Sequence, residues 1–91
     1  MGKDKVILKV KSSSNVKGVA GCIVNCYENS DKVELRCMGA SSVNQMIKAV
    51  AIARSILAAK GVDIAIVPGF EDVEEEGNTK TIILAKVVEM R

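Results

Sequence analysis

The hydrophobic residues of this chain follow two spacings, and these predict strands and helices in turn. In residues 5–11 and 33–38 apolar residues alternate with mostly charged or polar ones, as in a strand with one buried face. In residues 16–27 and 43–57 apolar residues recur every three or four positions, as in an amphipathic helix. These segments predict the order β-α-β-α for the first two thirds of the chain.

Residue types that favour helix ends lie on both sides of the predicted helices. We expect the first helix to end near Asn29 and the second to stop at Gly61, a residue type that readily takes the left-handed conformation found after helices. The candidate N-terminal caps are Ser14 or Asn15 for the first helix and Ser41 or Ser42 for the second.

The second helix is aliphatic on more than one side, which predicts that it is covered on more than one side. The predicted core positions are Val43, Met46, Ile47, Val50, Ala53 and Leu57. The opposite side comprises Gln45, Lys48, Ile52, Ser55, Ile56 and Ala59. This helix either packs between the sheet and the first helix or, as we favour, uses Ile52 and Ile56 in a two-fold interface between subunits.

The last third of the chain predicts two strands. Residues 62–67 form an almost unbroken aliphatic run that Pro68 and Gly69 stop, so we expect a central strand buried on both faces. Residues 79–90 are predicted to form the last strand.

Between these strands, residues 71–78 are mostly acidic and are expected to form the turn of a protruding hairpin. Gly77 and Asn78 would supply its positive φ angles. The order β-α-β-α-β-β over residues 1–91 predicts a single α+β domain, a two-layer α/β sandwich with both helices on one face of a four-stranded mixed sheet.

The reactive side chains of the sequence argue against catalysis and against a metal site. The sequence has no histidine, which removes the commonest general base near neutral pH, and no nucleophile motif is present. Cys22 and Cys26 lie four residues apart on the predicted helix, and with Cys37 they leave a zinc site one ligand short. We expect reduced, half-buried cysteines, no enzyme activity and no cofactor.

Composition predicts a self-associating cytoplasmic protein. No apolar run approaches the length of about 20 residues that spans a membrane. Hydrophobic residues make up 48% of only 91 residues, and a chain this short buries little surface alone, so we expect a homodimer or tetramer.

Charge is unevenly distributed along the chain. Residues 1–60 contain ten Lys or Arg and four acids, whereas residues 61–91 contain three Lys or Arg and seven acids. We expect a basic surface, separate from the acidic hairpin, on which Lys9, Lys11, Lys17 and Arg36 could converge. Such a surface suits the phosphate backbone of nucleic acid, although scattered lysines that only solvate the domain are the alternative. Two aromatic residues are too few for recognition by base stacking.

Four segments form a distinctive set of motifs: residues 9–21, KVKSSSNVKGVAG, residues 39–54, GASSVNQMIKAVAIAR, and the segments 61–63 and 68–72. In these motifs the chain resembles the stage V sporulation protein S family. The resemblance implies an Alba-like fold, a regulatory role in sporulation and nucleic-acid binding, the last inferred largely from that fold.

Alba proteins meet nucleic acid through the loop after the first strand, the start of the second helix and a basic hairpin. The resemblance places Lys11 and Lys17 beside that loop, but the hairpin here is acidic. The predicted nucleic-acid-binding residues are Lys9, Lys11, Lys17, Arg36, Ser41, Ser42, Asn44, Gln45 and Lys48. The alternative is a protein-interaction module in which Glu71, Asp72, Glu74, Glu75 and Glu76 meet a basic protein partner or the basic face of another subunit.

Overall fold

A computed structural model describes residues 5–29 and 31–90. The element order β-α-β-α-β-β confirms the sequence prediction. The elements are β1 (Lys5–Val10), α1 (Val16–Glu28), β2 (Lys32–Cys37), α2 (Ala40–Ala58), β3 (Asp63–Glu75) and β4 (Asn78–Met90).

The four strands form one mixed sheet in the order β1-β2-β4-β3. β1 and β2 are parallel, and the other neighbouring strands are antiparallel. The two helices pack against each other on one face of the sheet. Alternate strand residues such as Leu35, Ile64 and Ala85 point into the core that Ile23 and Leu57 complete from the helices. The predicted two-layer architecture is therefore confirmed.

The prediction of a central strand at residues 62–67 is wrong. β3 lies at the edge of the sheet, whereas β2 and β4 are internal, and Val67 is 52% exposed. β3 also continues through Pro68 and Gly69 to Glu75. Proline lacks the N–H group that an internal strand needs, but an edge strand leaves one side unpaired and tolerates it.

The hairpin turn is shorter than predicted. Positive φ angles occur at Glu76 (52°) and Gly77 (80°), and Asn78 is already the first residue of β4. Two consecutive positive φ angles are typical of the two-residue turn whose twist matches antiparallel strands. Residues 71–75 therefore belong to β3 and not to a loop.

The two helices begin differently. Of the two predicted candidates, Ser14 and Asn15, it is Asn15 whose side chain caps α1 by accepting a hydrogen bond from the Gly18 N–H (2.9 Å). The predicted serine cap of α2 is wrong, because Gly39, with φ 91°, holds the cap position and none of the described side chains caps the helix. Only glycine adopts this backbone conformation readily, so α2 begins at once after the turn. α2 ends at Ala58, and Gly61 follows with φ 78°.

The predicted core face of α2 needs one correction. Ile47 is 48% exposed, whereas Ala49 is fully buried. α2 packs against α1 as well as against the sheet. Because the small side chain of Ala49 allows α1 to approach closely, the buried face of α2 includes Ala49 and excludes Ile47. Ile52 packs partly buried against the core of its own chain, and Ile56 is 43% exposed. Their place in a subunit interface stays a prediction.

The cysteines are free thiols in the described part of the chain. Cys26 and Cys37 are buried and Cys22 is exposed, so the prediction of half-buried cysteines is wrong for all three. Burial raises the pKa of the Cys26 and Cys37 thiols above the ordinary value. Both are therefore poor nucleophiles near neutral pH.

Candidate nucleic-acid interface

The carboxyl ends of β1 and β2 lie at the same end of the sheet because these strands are parallel. From this end the chain enters α1 through the loop of residues 11–15 and enters α2 through residues 38–39. The Gln45 side-chain amide in α2 donates a hydrogen bond to the Ser14 carbonyl oxygen (3.0 Å). The loop after β1 is thereby held against the first turns of α2, as the predicted site requires.

The loop between β1 and α1 is ordered by its own hydrogen bonds. The Lys11 N–H donates to Ser14 Oγ (2.8 Å), and the Ser14 N–H donates back to the Lys11 carbonyl (3.0 Å). Asn15 is occupied as the α1 cap. The side chains of Lys11 and Lys17 are exposed on either side of this loop.

The start of α2 offers fewer ligand-binding groups than predicted. Ser42 is buried, and its hydroxyl donates to the Met38 and Gly39 carbonyl oxygens (2.7 and 2.9 Å). A nucleic acid could not reach that hydroxyl. Ser41, Asn44 and Lys48 are exposed, and Lys48 follows Gln45 by three residues, which places the two side chains close together on the helix.

Four of the predicted cations make no ion pair with any described carboxylate. They are Lys9, Lys11, Lys17 and Lys48. Other cations of the described chain are already compensated: Arg54 pairs with Asp63, Lys60 with Glu28 and Lys80 with Glu75. Uncompensated lysines are the ones that gain most from contact with a phosphate.

Arg36 differs from these lysines because carboxylates surround it. Its Nε donates to Glu34 Oε2 (2.9 Å), and its Nη2 lies 3.8 Å from Glu71 Oε1. Lys5 Nζ is 3.2 Å from the other Glu34 oxygen. These two cations hold the pKa of the Glu34 carboxyl below its ordinary value, the hydrogen bond from Arg36 being the main cause. Little of the Arg36 charge remains for a ligand.

The predicted site residues lie in two layers of the domain. Strand alternation places Lys9 and Arg36 on the sheet face opposite the helices, here called the uncovered face. Lys17, Asn44 and Lys48 belong to the helices, and Lys11 follows β1 where the layers meet. We define Lys11, Lys17 and Lys48 as the lysine site.

The basic surface and the acidic hairpin are not separate, contrary to the prediction. A groove of about 390 Å³ is lined by Lys9, Lys11 and Arg36 on one side and by Glu75 on the other. The reason is topological. β4 leads from the hairpin directly alongside β2, so β3 carries its carboxylates past the same end of the sheet.

Sequence reasoning missed three further lysines on the uncovered face. Lys5, Lys32 and Lys86 line a groove of about 500 Å³ together with Glu34, and we define them as the sheet lysines. Lys32 and Lys86 make no ion pair with described carboxylates. Alternation could have placed Lys5 and Lys32 on one face, but only the strand order shows that β4 brings Lys86 beside them.

Replacing Glu34 with glutamine is expected to reduce stability mainly above pH 4.5. The lowered pKa in the folded chain means that this ionised carboxylate stabilises the fold fully above its ordinary value of 4.5. That contribution is lost as the pH falls through the lowered pKa of the folded state. The side chain is only 5% exposed, but Lys5 and Arg36 are 57% and 28% exposed, so screening limits the effect to about 1 kcal/mol.

Urea unfolding of both proteins between pH 2 and pH 7 measures this difference. The two stability curves should converge at acid pH. Equal stability of the wild type and Glu34→Gln at pH 7 would contradict a stabilising role of the ionised Glu34 carboxylate. Glu71→Gln is the control, because it removes a carboxylate that is exposed and lies farther from Arg36.

Comparison with known proteins agrees with this fold. A model of the Stage V sporulation protein S family matches residues 6–90. The chain belongs to this family. Membership makes it a sporulation-related protein and confirms the resemblance that the sequence motifs indicated.

The structure is also similar to that of Alba from Thermoplasma volcanium, with a TM-score of 0.61 and 14% sequence identity. The match covers 94% of this chain and 100% of that one. At this identity the likeness shows the fold alone, which is Alba-like as expected. Within the described residues, no helix is long and apolar enough to cross a membrane, and no cluster of three or more metal-ligating side chains occurs.

Proposed function

We propose that this member of the Stage V sporulation protein S family binds the phosphate backbone of duplex nucleic acid through the lysine site. The observation that carries the proposal is that Lys11, Lys17 and Lys48 are exposed and have no carboxylate partner among the described residues. Lys11 and Lys17 lie at the loop after β1, and Lys48 follows by three residues Gln45, whose hydrogen bond fixes that loop. A fixed loop lowers the entropy lost when the lysines are ordered on a ligand.

The first turns of both helices support this proposal. Each helix begins with N–H groups that lack partners within the helix, and its dipole favours an anion there. Exposed Ser41 and Asn44 add neutral hydrogen-bond donors at the start of α2. These groups would contact phosphate or sugar and not base edges, so the binding is expected to tolerate many sequences.

The acidic hairpin limits how a duplex can lie on the domain. Glu75 lines the groove that Lys9 and Lys11 share, and a phosphate placed there would be repelled. The duplex would therefore approach from the helix layer, over Lys17 and Lys48. Lys9 and Arg36 contribute less in this arrangement than in the sequence prediction.

A titration at two salt concentrations tests the proposal. Duplex DNA and duplex RNA are titrated separately with the full chain, and three phosphate contacts predict about a 40-fold loss of affinity between about 50 and 200 mM salt. No measurable binding at the lower salt, or affinity that does not change with salt, would overturn the proposal. A difference between the two arms would identify the preferred nucleic acid.

A protein-interaction role is the second candidate, and the hairpin favours it. Phe70 is 75% exposed and precedes five carboxylates within the next six residues. Such a segment is unsuited to a duplex but suited to a basic protein surface with an apolar centre. This role needs no nucleic acid and would remain if the titration failed.

A further inference from the structure

We propose that the uncovered face of the sheet, at the sheet lysines, is a docking site for the acidic hairpin of a second copy of this chain. The proposal does not depend on nucleic-acid binding, because it uses Lys5, Lys32 and Lys86 and not the lysine site. It assigns a partner to a face that no helix of the described chain covers.

The uncovered face combines positive charge with exposed apolar surface. Lys5, Lys32 and Lys86 come from three adjacent strands. Two carboxylates line the same groove: Glu34 is already bound by Lys5 and Arg36, and Glu89 accepts a hydrogen bond from the Tyr27 hydroxyl (2.8 Å). The paired residues Ala65 and Val88 lie on the same face, and Val88 is 39% exposed. An occupant should therefore be acidic and should carry at least one apolar side chain.

The hairpin of the same chain has this chemistry. Beyond the pair Cys37 and Ile83, β4 has left β2 and pairs only with β3, so the hairpin extends as a two-stranded ribbon. Alternation places Phe70, Asp72 and Glu74 on one side of this ribbon. Phe70 is 75% exposed, so the helices leave this side open to a partner.

The hairpin carboxylates are only partly compensated within their own chain. Glu75 pairs with Lys80, and Glu71 lies near Arg36. Glu74 and Glu76 make no ion pair with a described cation. The Arg36 to Glu71 contact already joins a hairpin carboxylate to a cation of the uncovered face, and docking would repeat this chemistry between chains.

A second copy fits this face better than a nucleic acid does. A phosphate backbone would neutralise the sheet lysines but leave the hairpin carboxylates without partners. In a contact between two copies, the hairpin carboxylates of one chain would meet the sheet lysines of the other, so both charged groups gain partners. Contact between two different surfaces of the same chain is heterologous. Such contacts form a closed ring only when the rotation between neighbouring copies brings the last copy back to the first. Association is therefore expected to be open-ended, to grow with concentration and to weaken with salt.

Sedimentation velocity of the full chain at about 50 and 500 mM salt measures this association. The species that remains at the higher salt is the reference, and larger species that form only at the lower salt report the salt-sensitive contact. Two charge-reversed variants test the surfaces: Asp72→Lys/Glu74→Lys in the hairpin and Lys32→Glu/Lys86→Glu in the sheet. Each variant alone should associate at least about tenfold more weakly than the wild type. An equimolar mixture should recover association, because each variant then meets a surface of opposite charge.

Recovery on mixing would also show that both variants fold. The matched control is Lys17→Glu/Lys48→Glu, which reverses two charges on the helix layer and should leave association unchanged. The proposal is overturned if the wild type shows no salt-sensitive association, or if the mixture stays dissociated. It is also overturned if the sheet variant associates normally but binds duplex more weakly, since nucleic acid would then be the occupant.

Discussion

Replacing Lys11, Lys17 and Lys48 together with alanine is expected to lower duplex affinity by about a hundredfold at about 50 mM salt. Each lysine that contacts a phosphate releases a counterion, and this release is the main source of affinity at low salt. The slope of log K against log salt should also become less negative by about 2.7 for three lost contacts. Fluorescence anisotropy with a labelled duplex measures both quantities.

The control for this prediction removes the same number of charges elsewhere. Lys32→Ala/Lys80→Ala/Lys86→Ala changes the net charge equally but leaves the lysine site intact. If the control loses as much affinity as the test variant, binding responds to overall charge and not to this surface. Gln45→Ala extends the test, because it removes only the hydrogen bond to the Ser14 carbonyl that fixes the loop.

Replacing Leu35 with alanine is expected to destabilise the domain by about 3 kcal/mol. Leu35 is fully buried, in the internal strand β2, and pairs with buried Ala85 on the helix side of the sheet. Removing its side chain loses apolar burial and leaves a cavity that a rigid sheet cannot close. Small domains have about 5–15 kcal/mol of total stability, so urea unfolding should detect a large shift in midpoint.

Leu84→Ala is the matched control, because Leu84 is the neighbour of Ala85 on β4 and faces the uncovered side. It is only partly buried, so we expect a loss of about 1 kcal/mol. A loss equal to that of Leu35→Ala at low salt, falling at high salt, would mean that another chain covers this face in solution. That result would agree with docking of the acidic hairpin.

The two proposed surfaces lie on opposite layers of the domain. A duplex over Lys17 and Lys48 would occupy the helix layer, while a hairpin at Lys32 and Lys86 would occupy the uncovered face. The two ligands therefore need not compete for the same lysines.

The sequence by itself determined the type and order of the elements and the approximate extent of the first four, but not the extent of β3. Alternation in residues 5–11 and 33–38 and helical periodicity in residues 16–27 and 43–57 reflect which side of each element is buried, and they predicted β1, β2, α1 and α2 to within three residues. Ser14 and Asn15 were the candidate caps of α1 for the same reason, since capping involves residues about three apart, and the structure selects Asn15. The motifs that indicated the family are also short contiguous segments, so they could be recognised without the tertiary structure.

The tertiary structure alone decided which elements are neighbours, and therefore where the charges lie. The aliphatic run of residues 62–67 predicts a strand but does not show how many strands pair with it. An edge strand and an internal strand are therefore not distinguished by this segment alone. The order β1-β2-β4-β3 placed Lys86 beside Lys5 and Lys32, brought Glu71 to Arg36 and divided the predicted lysines between two layers. Charge acts through distance in space, and distances between residues far apart in sequence are fixed only when the strands pair.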